Sequence, residues 1–129
     1  MHGAYKSAKR GKQLLLFSGL EYDNHVAPMD LDGMIEYHDK KRVFLEVKLQ
    51  NTPVPEGERI ALERLVNDCG KAGKKAIAIV ADHNVFDTSQ DVIVQDCMVR
   101  VLYYSEEGHW RTPKRSMTVK TLVDSFLLQ

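Results

Sequence analysis

Residues 27–50, APMDLDGMIEYHDKKRVFLEVKLQ, decide the fold because they contain two strands joined by a short polar turn. β-branched and aromatic residues alternate with a period of two in DLDGMIEY and RVFLEVKL, residues 30–37 and 42–49. The polar HDKK between these two runs predicts a hairpin. Charged residues interrupt both apolar runs, so the sequence also raises the question of what these charges do in a sheet.

The charges of the predicted hairpin fall on one face of each strand. Side chains two apart in a strand share a face, so Glu46 and Lys48 lie opposite a wholly aliphatic face of the second strand. In the first strand, Asp30 and Asp32 share the face opposite Leu31. The sequence therefore predicts that each strand has an acidic side.

The length of the turn decides whether the two acidic sides coincide. Asp32 meets Glu46 or Lys48 on one face only if opposed residue numbers add to an even value such as 78 or 80. That condition requires a turn of odd length or a bulge. We expect a three- or five-residue turn, because the two-residue alternative Asp39-Lys40 lacks the glycine that a type I′ turn prefers.

The remaining sequence predicts an α/β domain with a mixed central sheet. Residues 7–20 are basic and then apolar, as in a helix whose end packs inward, and residues 21–28 resemble a loop. An apolar stripe at i, i+3, i+4 and i+7 predicts a second helix that opens near Pro55 and stops at Gly70 and Gly73. The stripe consists of Leu62, Leu65, Val66 and Cys69.

The second half of the chain predicts the rest of the sheet. KKAIAIVADH, residues 74–83, is a continuous apolar run typical of a strand that is covered on both faces. Residues 91–110 predict one or two further strands. TVKTLVDSFLL, residues 118–128, predicts a closing helix with Thr118 as its cap.

Composition indicates a soluble globular domain and excludes a strong general affinity for polyanions. The 129 residues suffice for one domain, residues 1–129, and include 18 basic and 18 acidic side chains, so any anion site must be local. The two cysteines lack CxxC spacing and no secretory leader is evident, which predicts reduced thiols in the cytoplasm. The apolar runs are too short to span a bilayer, so no membrane partner is expected.

Carboxylates that converge on one face of a hairpin suit a hard divalent cation, because Mg²⁺ takes oxygen ligands and keeps several of its waters. A lysine two residues from such a carboxylate shares its face and can hold a water there, an arrangement that fits metal-assisted attack on a phosphodiester. The structural alternative is that Glu46 and Lys48 are a solvated pair on a sheet exposed on one side.

At these residues the sequence resembles the PD-(D/E)XK nuclease superfamily, through PMDLDG at residues 28–33 and FLEVK at residues 44–48. The resemblance extends loosely to PEGERIALERL at 55–65 and AIAIVADH at 76–83, and is greatest to small phage-type, VRR-NUC-like and Holliday-junction-resolvase-like members. It implies a restriction-endonuclease-like fold with an αβββαβ core. The implied cofactor is Mg²⁺ or Mn²⁺.

The resemblance also implies roles for individual residues. Asp32 corresponds to the metal-binding aspartate that opens a core strand, with Asp30 as the rival for that role. Glu46 corresponds to the second acidic ligand, the Val47 backbone carbonyl to a third ligand, and Lys48 to the lysine of the motif. Glu58, which would act with them, stands where many relatives carry glutamine.

The implied activity is metal-dependent hydrolysis of DNA by an endonuclease, in a phage or mobile-element protein acting in the cytoplasm of a bacterial host. The alternatives are a non-catalytic DNA-binding or assembly subunit that keeps the fold, and an interaction domain whose acidic face binds a basic partner. A homodimer would allow both strands to be cut, although no residue demands one. The acidic site requires nearby cations to accept DNA, and the candidates are Lys6, Lys9, Arg10, Lys12, Lys71, Lys74, Lys75, Arg111, Lys114 and Arg115.

Overall fold

The computed structural model describes residues 14–23 and 26–129 and divides the chain into two units, Met1–Asp30 and Leu31–Gln129. The helix expected over residues 7–20 lies partly outside the described residues, and over residues 14–20 the prediction is wrong. These residues form a turn in which the Leu20 N–H donates to the Phe17 carbonyl at 3.1 Å. Gly19 has a φ of +90°, a value that a right-handed helix does not contain.

The second unit is a mixed five-stranded sheet with a helix on each face. In chain order the elements are β1 (Gly33–Tyr37), β2 (Lys41–Leu49), α1 (Glu56–Lys71), β3 (Lys75–His83), a 3-10 turn (Val94–Asp96), β4 (Met98–Tyr104), β5 (Trp110–Arg111) and α2 (Val119–Leu127). The strands lie in the order β1-β2-β3-β4-β5, and only β2 and β3 are parallel. The predicted mixed α/β fold is confirmed. Within residues 14–23 and 26–129, two strands precede α1, whereas an αβββαβ core has three.

The hairpin turn has the odd length that the site requires. Opposed residue numbers in β1 and β2 add to 78, as in the pair Gly33 and Leu45, and residues 38–40 form the turn. His38 and Asp39 have φ values of 54° and 59°, as in a type I′ turn, and the third residue makes the loop odd. The expected three-residue turn is therefore confirmed.

Each face of the sheet carries its own hydrophobic core. The odd-numbered side chains of β2 pack toward α2, in a cluster that includes Val43, Ile77, Ile79, Leu102 and Phe126. The even-numbered side chains pack toward α1, in a cluster that includes Phe44, Leu62, Val66, Ala78 and Tyr103. Leu31 packs against this second cluster, which corrects its expected place on the face opposite Asp32. The alternation does not extend to Leu31 because β1 begins only at Gly33.

The helix boundaries follow the signals read from the sequence. The N-cap of α1 is Pro55, whose missing N–H costs nothing at this end, and Gly73 follows the helix with a φ of +83°. The N-cap of α2 is Thr118, whose side-chain oxygen accepts a hydrogen bond from the Thr121 N–H at 3.2 Å. In the described part of the chain, no helix is both long and apolar enough to cross a bilayer.

Lys41 joins the start of β2 to the end of α2, and its replacement is expected to destabilise the domain. Its ammonium donates to the carbonyl oxygens of Phe126 and Leu127, at 3.0 and 3.1 Å, which α2 leaves without partners in its last turn. We expect Lys41→Met to lower the free energy of unfolding by about 1–2 kcal/mol. Urea denaturation measures this, with Lys40→Met, at an exposed position, as the control that should change little. Equal losses in the two variants would contradict the capping role.

Candidate functional site

Glu46 is a buried carboxylate on an inner strand of the sheet. It is 4 % exposed, because it follows Phe44 on the face of β2 that α1 covers. The alternative of a solvated pair on an exposed sheet face is therefore wrong: both faces of β2 are covered. A buried carboxylate needs a partner or a function, since removing its charge from water is costly.

Asp32 lies beside Glu46, where the register of the hairpin places it. Gly33 and Leu45 are the last opposed pair of β1 and β2, and their numbers add to 78. Residues 32 and 46 also add to 78, so they lie one position beyond this pair. The chain bends at Asp32, just before β1, and Oδ2 of Asp32 accepts a hydrogen bond from the Val47 N–H at 2.7 Å. The carboxylate of Asp32 is therefore held by the backbone of β2 at the end of β1.

The Val47 carbonyl oxygen points to the side of β2 on which Asp32 lies. In a strand, the N–H and C=O of one residue point to the same neighbouring strand. The Val47 N–H is directed at Asp32, past the end of β1. The carbonyl is therefore on the side of Asp32, as expected for a third ligand.

Lys48 and Glu58 form an ion pair between β2 and the first turn of α1. The Lys48 Nζ lies 3.0 Å from Oε1 of Glu58 and donates to Oε2 at 3.2 Å. The two side chains are 20 % and 14 % exposed. The Oε1 atom is inaccessible to solvent and, despite its distance to Lys48, receives no hydrogen bond of adequate geometry. One buried oxygen of Glu58 therefore has capacity for a further interaction.

The surroundings of Glu46 strongly disfavour its ionised form. The pKa of Glu46 is raised from its ordinary value of 4.5 to about 9. Burial is the largest cause, followed by hydrogen bonds to Asp32 and to Glu58 and by repulsion from the charges of the same two residues. Glu46 is therefore protonated at neutral pH unless a cation enters the site.

The donor set fits a cation that is bound through few protein ligands. No group of three or more His, Cys, Asp or Glu side chains within residues 14–23 and 26–129 has the arrangement of a metal site. In the observed arrangement Asp32 accepts from the backbone and Glu58 is paired with Lys48. Mg²⁺ is commonly held through one or two carboxylates and several waters, so the Asp32–Glu46 pair with the Val47 carbonyl suffices in ligand type and number.

Three of the predicted cations, Lys71, Lys74 and Lys75, lie away from the site. Asp30 is exposed and belongs to the first unit, so its role as the rival ligand stays a prediction. In the register of the parallel strands, Lys75 lies beside Lys41 at one end, whereas Lys48 lies beside Asp82 at the other. Seven residues of strand separate these ends by roughly 23 Å.

The opposite end of the sheet therefore holds the basic group at residues 71–75. Lys74 is also paired with Asp39, and Lys75 with Glu106. These lysines do not border the site, which corrects their expected place on its rim. The candidates at residues 6–12 lie outside the described residues.

Two charged residues at the end of the sheet near Lys48 were missed by sequence reasoning. Asp82 is the register partner of Lys48, and Arg100 of β4 makes an ion pair with Asp82. The sequence pattern could have indicated Asp82, because it lies near the end of the apolar run of residues 76–83, on the face of Glu46. It could not have indicated Arg100, because the direction of that side chain depends on a bulge between β3 and β4. His83, at the end of β3, accepts a hydrogen bond from the Val85 N–H through Nδ1 at 3.1 Å.

Fold and site together define a mixed α/β domain with a carboxylate cluster around the buried Glu46 and an adjoining lysine. No family model, curated protein or solved structure matches the chain. The resemblance to PD-(D/E)XK nucleases therefore rests on the residues quoted above, and the function must be argued from the chemistry of the site.

Proposed function

We propose that the protein is a divalent-metal-dependent deoxyribonuclease that hydrolyses phosphodiester bonds with Mg²⁺ or Mn²⁺. The observation that carries the proposal is the burial of Glu46 against two further carboxylates, with Lys48 on the same face. The PD-(D/E)XK resemblance of Asp32, Glu46 and Lys48 supports it, and the restriction-endonuclease-like fold is part of the proposal.

A structural role does not account for this arrangement. A buried carboxylate whose closest charged neighbours are carboxylates destabilises the folded protein, and an apolar residue at position 46 would pack against Phe44 and α1. Clusters of ionisable groups with strongly shifted pKa values are typical of functional sites. A divalent cation would offset the repulsion between Asp32 and Glu46 and make the ionised form of both favourable.

Each residue of the site has a role in hydrolysis. Asp32, Glu46 and the Val47 carbonyl would hold the cation, which supplies Lewis-acid stabilisation of the charge that develops on the phosphate. Lys48 shares the face of Glu46 and donates hydrogen bonds that orient the attacking water. Glu58 fixes the direction of the Lys48 ammonium through the 3.0 Å ion pair.

The same ion pair favours the second candidate, a non-catalytic DNA-binding or assembly subunit. With its ammonium held by Glu58, Lys48 has fewer donors for a water or a phosphate. In this alternative the acidic cluster is a remnant of a nuclease site, and the domain binds DNA without cutting it.

Cleavage assays distinguish the two candidates. Purified protein is incubated with supercoiled plasmid, linear duplex and branched DNA in Mg²⁺, in Mn²⁺ and in EDTA. We expect cleavage of at least one substrate with either metal and none in EDTA. Asp32→Asn should reduce the rate by roughly 10²–10³-fold, whereas Asp68→Asn, an exposed carboxylate on α1, should not change it.

Two results would reject the nuclease. One is equal cleavage by the wild type and Asp32→Asn, which indicates a contaminating enzyme. The other is no cleavage of any substrate with either metal. DNA binding without cleavage would then support the non-catalytic subunit, and the absence of DNA binding at low salt would support the interaction domain.

A further inference from the structure

A nucleic acid can approach the acids of the proposed site only if cations nearby offset their charge. Its acids Asp32, Glu46, Glu58 and Asp82 are accompanied on this face by Lys48 and Arg100. The lysines at residues 71–75 lie at the opposite end of the sheet. Affinity for DNA comes mainly from cations that contact phosphates, so a cation at this end of the sheet is of particular interest.

Arg100 is on the same face of the sheet as Glu46 and Lys48. The register between β3 and β4 shifts between Val80 and Ala81, and Ala81 pairs with Val99 in the core cluster beneath α2. The next side chain, Arg100, therefore points to the face of α1. Bulges frequently redirect a side chain next to an active site.

The guanidinium of Arg100 is held in a fixed position. Its Nε donates to Oδ1 of Asp82 at 2.8 Å, and its Nη2 donates to the same oxygen. Its Nη1 donates to the Thr52 carbonyl at 2.6 Å, in the loop that leads into α1. These bonds use three of the five N–H groups of an arginine. The side chain is 23 % exposed, and these bonds leave two of its N–H groups unused.

Asp82 connects Arg100 to the proposed site. It is the parallel register partner of Lys48, so the two residues are on neighbouring strands and share a face. Asp82 also lines a cleft of about 480 Å³ at the carboxyl end of β3. Arg100 lies on β4, one strand beyond Asp82, and contacts the acidic cluster's neighbour Asp82 directly.

We propose that Arg100 is a phosphate-binding and positioning residue, which holds the sugar-phosphate backbone of DNA next to the acidic cluster. The inference rests on the proposed nuclease function and adds the residue that places its substrate. An arginine that is already oriented by Asp82 and Thr52 loses little freedom when it binds a phosphate. Asp82 orients Arg100 but also repels the phosphate, so the two residues have opposite effects on DNA affinity.

DNA affinity measured without cleavage tests the inference. Fluorescence anisotropy of labelled 30-base-pair duplex and branched DNA is recorded in EDTA at several salt concentrations. We expect Arg100→Ala to weaken binding by about tenfold and to reduce the slope of log K against log salt by about 1. Arg100→Lys should retain the slope and recover part of the affinity, and Asp82→Asn should increase the affinity.

Lys75→Ala is the matched control, because it removes one positive charge at the opposite end of β3. It should leave affinity and salt slope unchanged. In the cleavage assay, Arg100→Ala should raise KM about tenfold with a much smaller effect on kcat, as expected for a residue that positions the substrate.

The outcomes separate this inference from the proposed function. If the wild type cleaves DNA but Arg100→Ala retains its affinity, slope and KM, the role of Arg100 is rejected and the nuclease stands. If Arg100→Ala and Asp82→Asn both weaken binding in proportion to a loss of folded protein, the ion pair is only structural and the role is again rejected. If no metal supports cleavage but Arg100→Ala weakens binding as expected, the nuclease is rejected and the phosphate contact stands.

Discussion

Glu46→Gln is expected to reduce metal-dependent cleavage by roughly 10³-fold while it increases the stability of the metal-free protein. Glutamine keeps the size of the side chain and can hydrogen-bond to Asp32 and Glu58, but it cannot supply a negative charge to a cation. The loss of cleavage and the gain in stability have the same origin, because the carboxylate is unfavourable in the fold and useful in the site.

The gain in stability depends on pH in a defined direction. The pKa of Glu46 is about 9 in the folded protein and 4.5 ordinarily, so between these values the folded state retains a proton that the unfolded state loses. The wild type therefore loses stability as the pH rises from about 4.5 to about 9, and below 4.5 Glu46 contributes no such loss. At pH 8 we expect Glu46→Gln to be more stable by about 1–2 kcal/mol.

Thermal and urea unfolding at pH 5 and pH 8, in EDTA and in Mn²⁺, measure this difference. Mn²⁺ should stabilise the wild type, and more at pH 8, because the ligand must lose its proton to bind a metal. Mn²⁺ should not stabilise Glu46→Gln to the same extent. A variant that is less stable than the wild type at pH 8 in EDTA would show that Glu46 is not an unfavourable buried carboxylate.

Lys48→Met is the second substitution with a large expected effect. It removes the ammonium that orients the attacking water, and we expect cleavage to fall by roughly 10²–10³-fold. It also leaves Glu58, which is only 14 % exposed, without its cation. Removing one partner of a buried pair costs more than removing both, so the free energy of unfolding should fall by about 1–3 kcal/mol.

The double variant Lys48→Met/Glu58→Gln separates these two effects. The second substitution removes the charge that the first leaves unpaired, so stability should return toward that of the wild type. Cleavage should not return, since the ammonium is still absent. Recovery of cleavage together with stability would show that Lys48 acts only through folding. In the single variant Glu58→Gln we expect DNA cleavage to persist, because glutamine can still accept a hydrogen bond from Lys48.

Much of the fold follows from local patterns in the sequence. The hairpin, α1, β3 and α2 have strong periodic patterns and clear end signals, such as Pro55 and Thr118, and these elements are where the sequence predicts them. The odd turn was predictable because the side-chain alternation in β1 and β2 and the absence of Asn-Gly in HDKK limit the register. The helix expected over residues 7–20 is absent over residues 14–20, because a helical pattern of apolar residues does not exclude a turn at Ser18-Gly19.

The candidate site was predictable only in part. Asp32, Glu46 and Lys48 share a strand pair, so their proximity follows from the period of a strand and one turn. The burial of Glu46 depends on α1 covering that face, which no local pattern specifies. The contact of Glu58 with Lys48, and the direction of Arg100, depend on helix docking and on the β3–β4 bulge. Both arise from tertiary packing and could not be read from residue spacing.

If the protein is a nuclease of this kind, Asp32 and Glu46 together hold the cation on which cleavage depends. Anomalous diffraction from crystals soaked in Mn²⁺ locates the ion without reference to activity. We expect a peak within coordination distance of both carboxylates and on the side of the Val47 carbonyl, and no such peak in Glu46→Gln. A wild-type crystal that binds no Mn²⁺ at these residues, at a concentration that supports cleavage in solution, would show that the two carboxylates do not hold the metal.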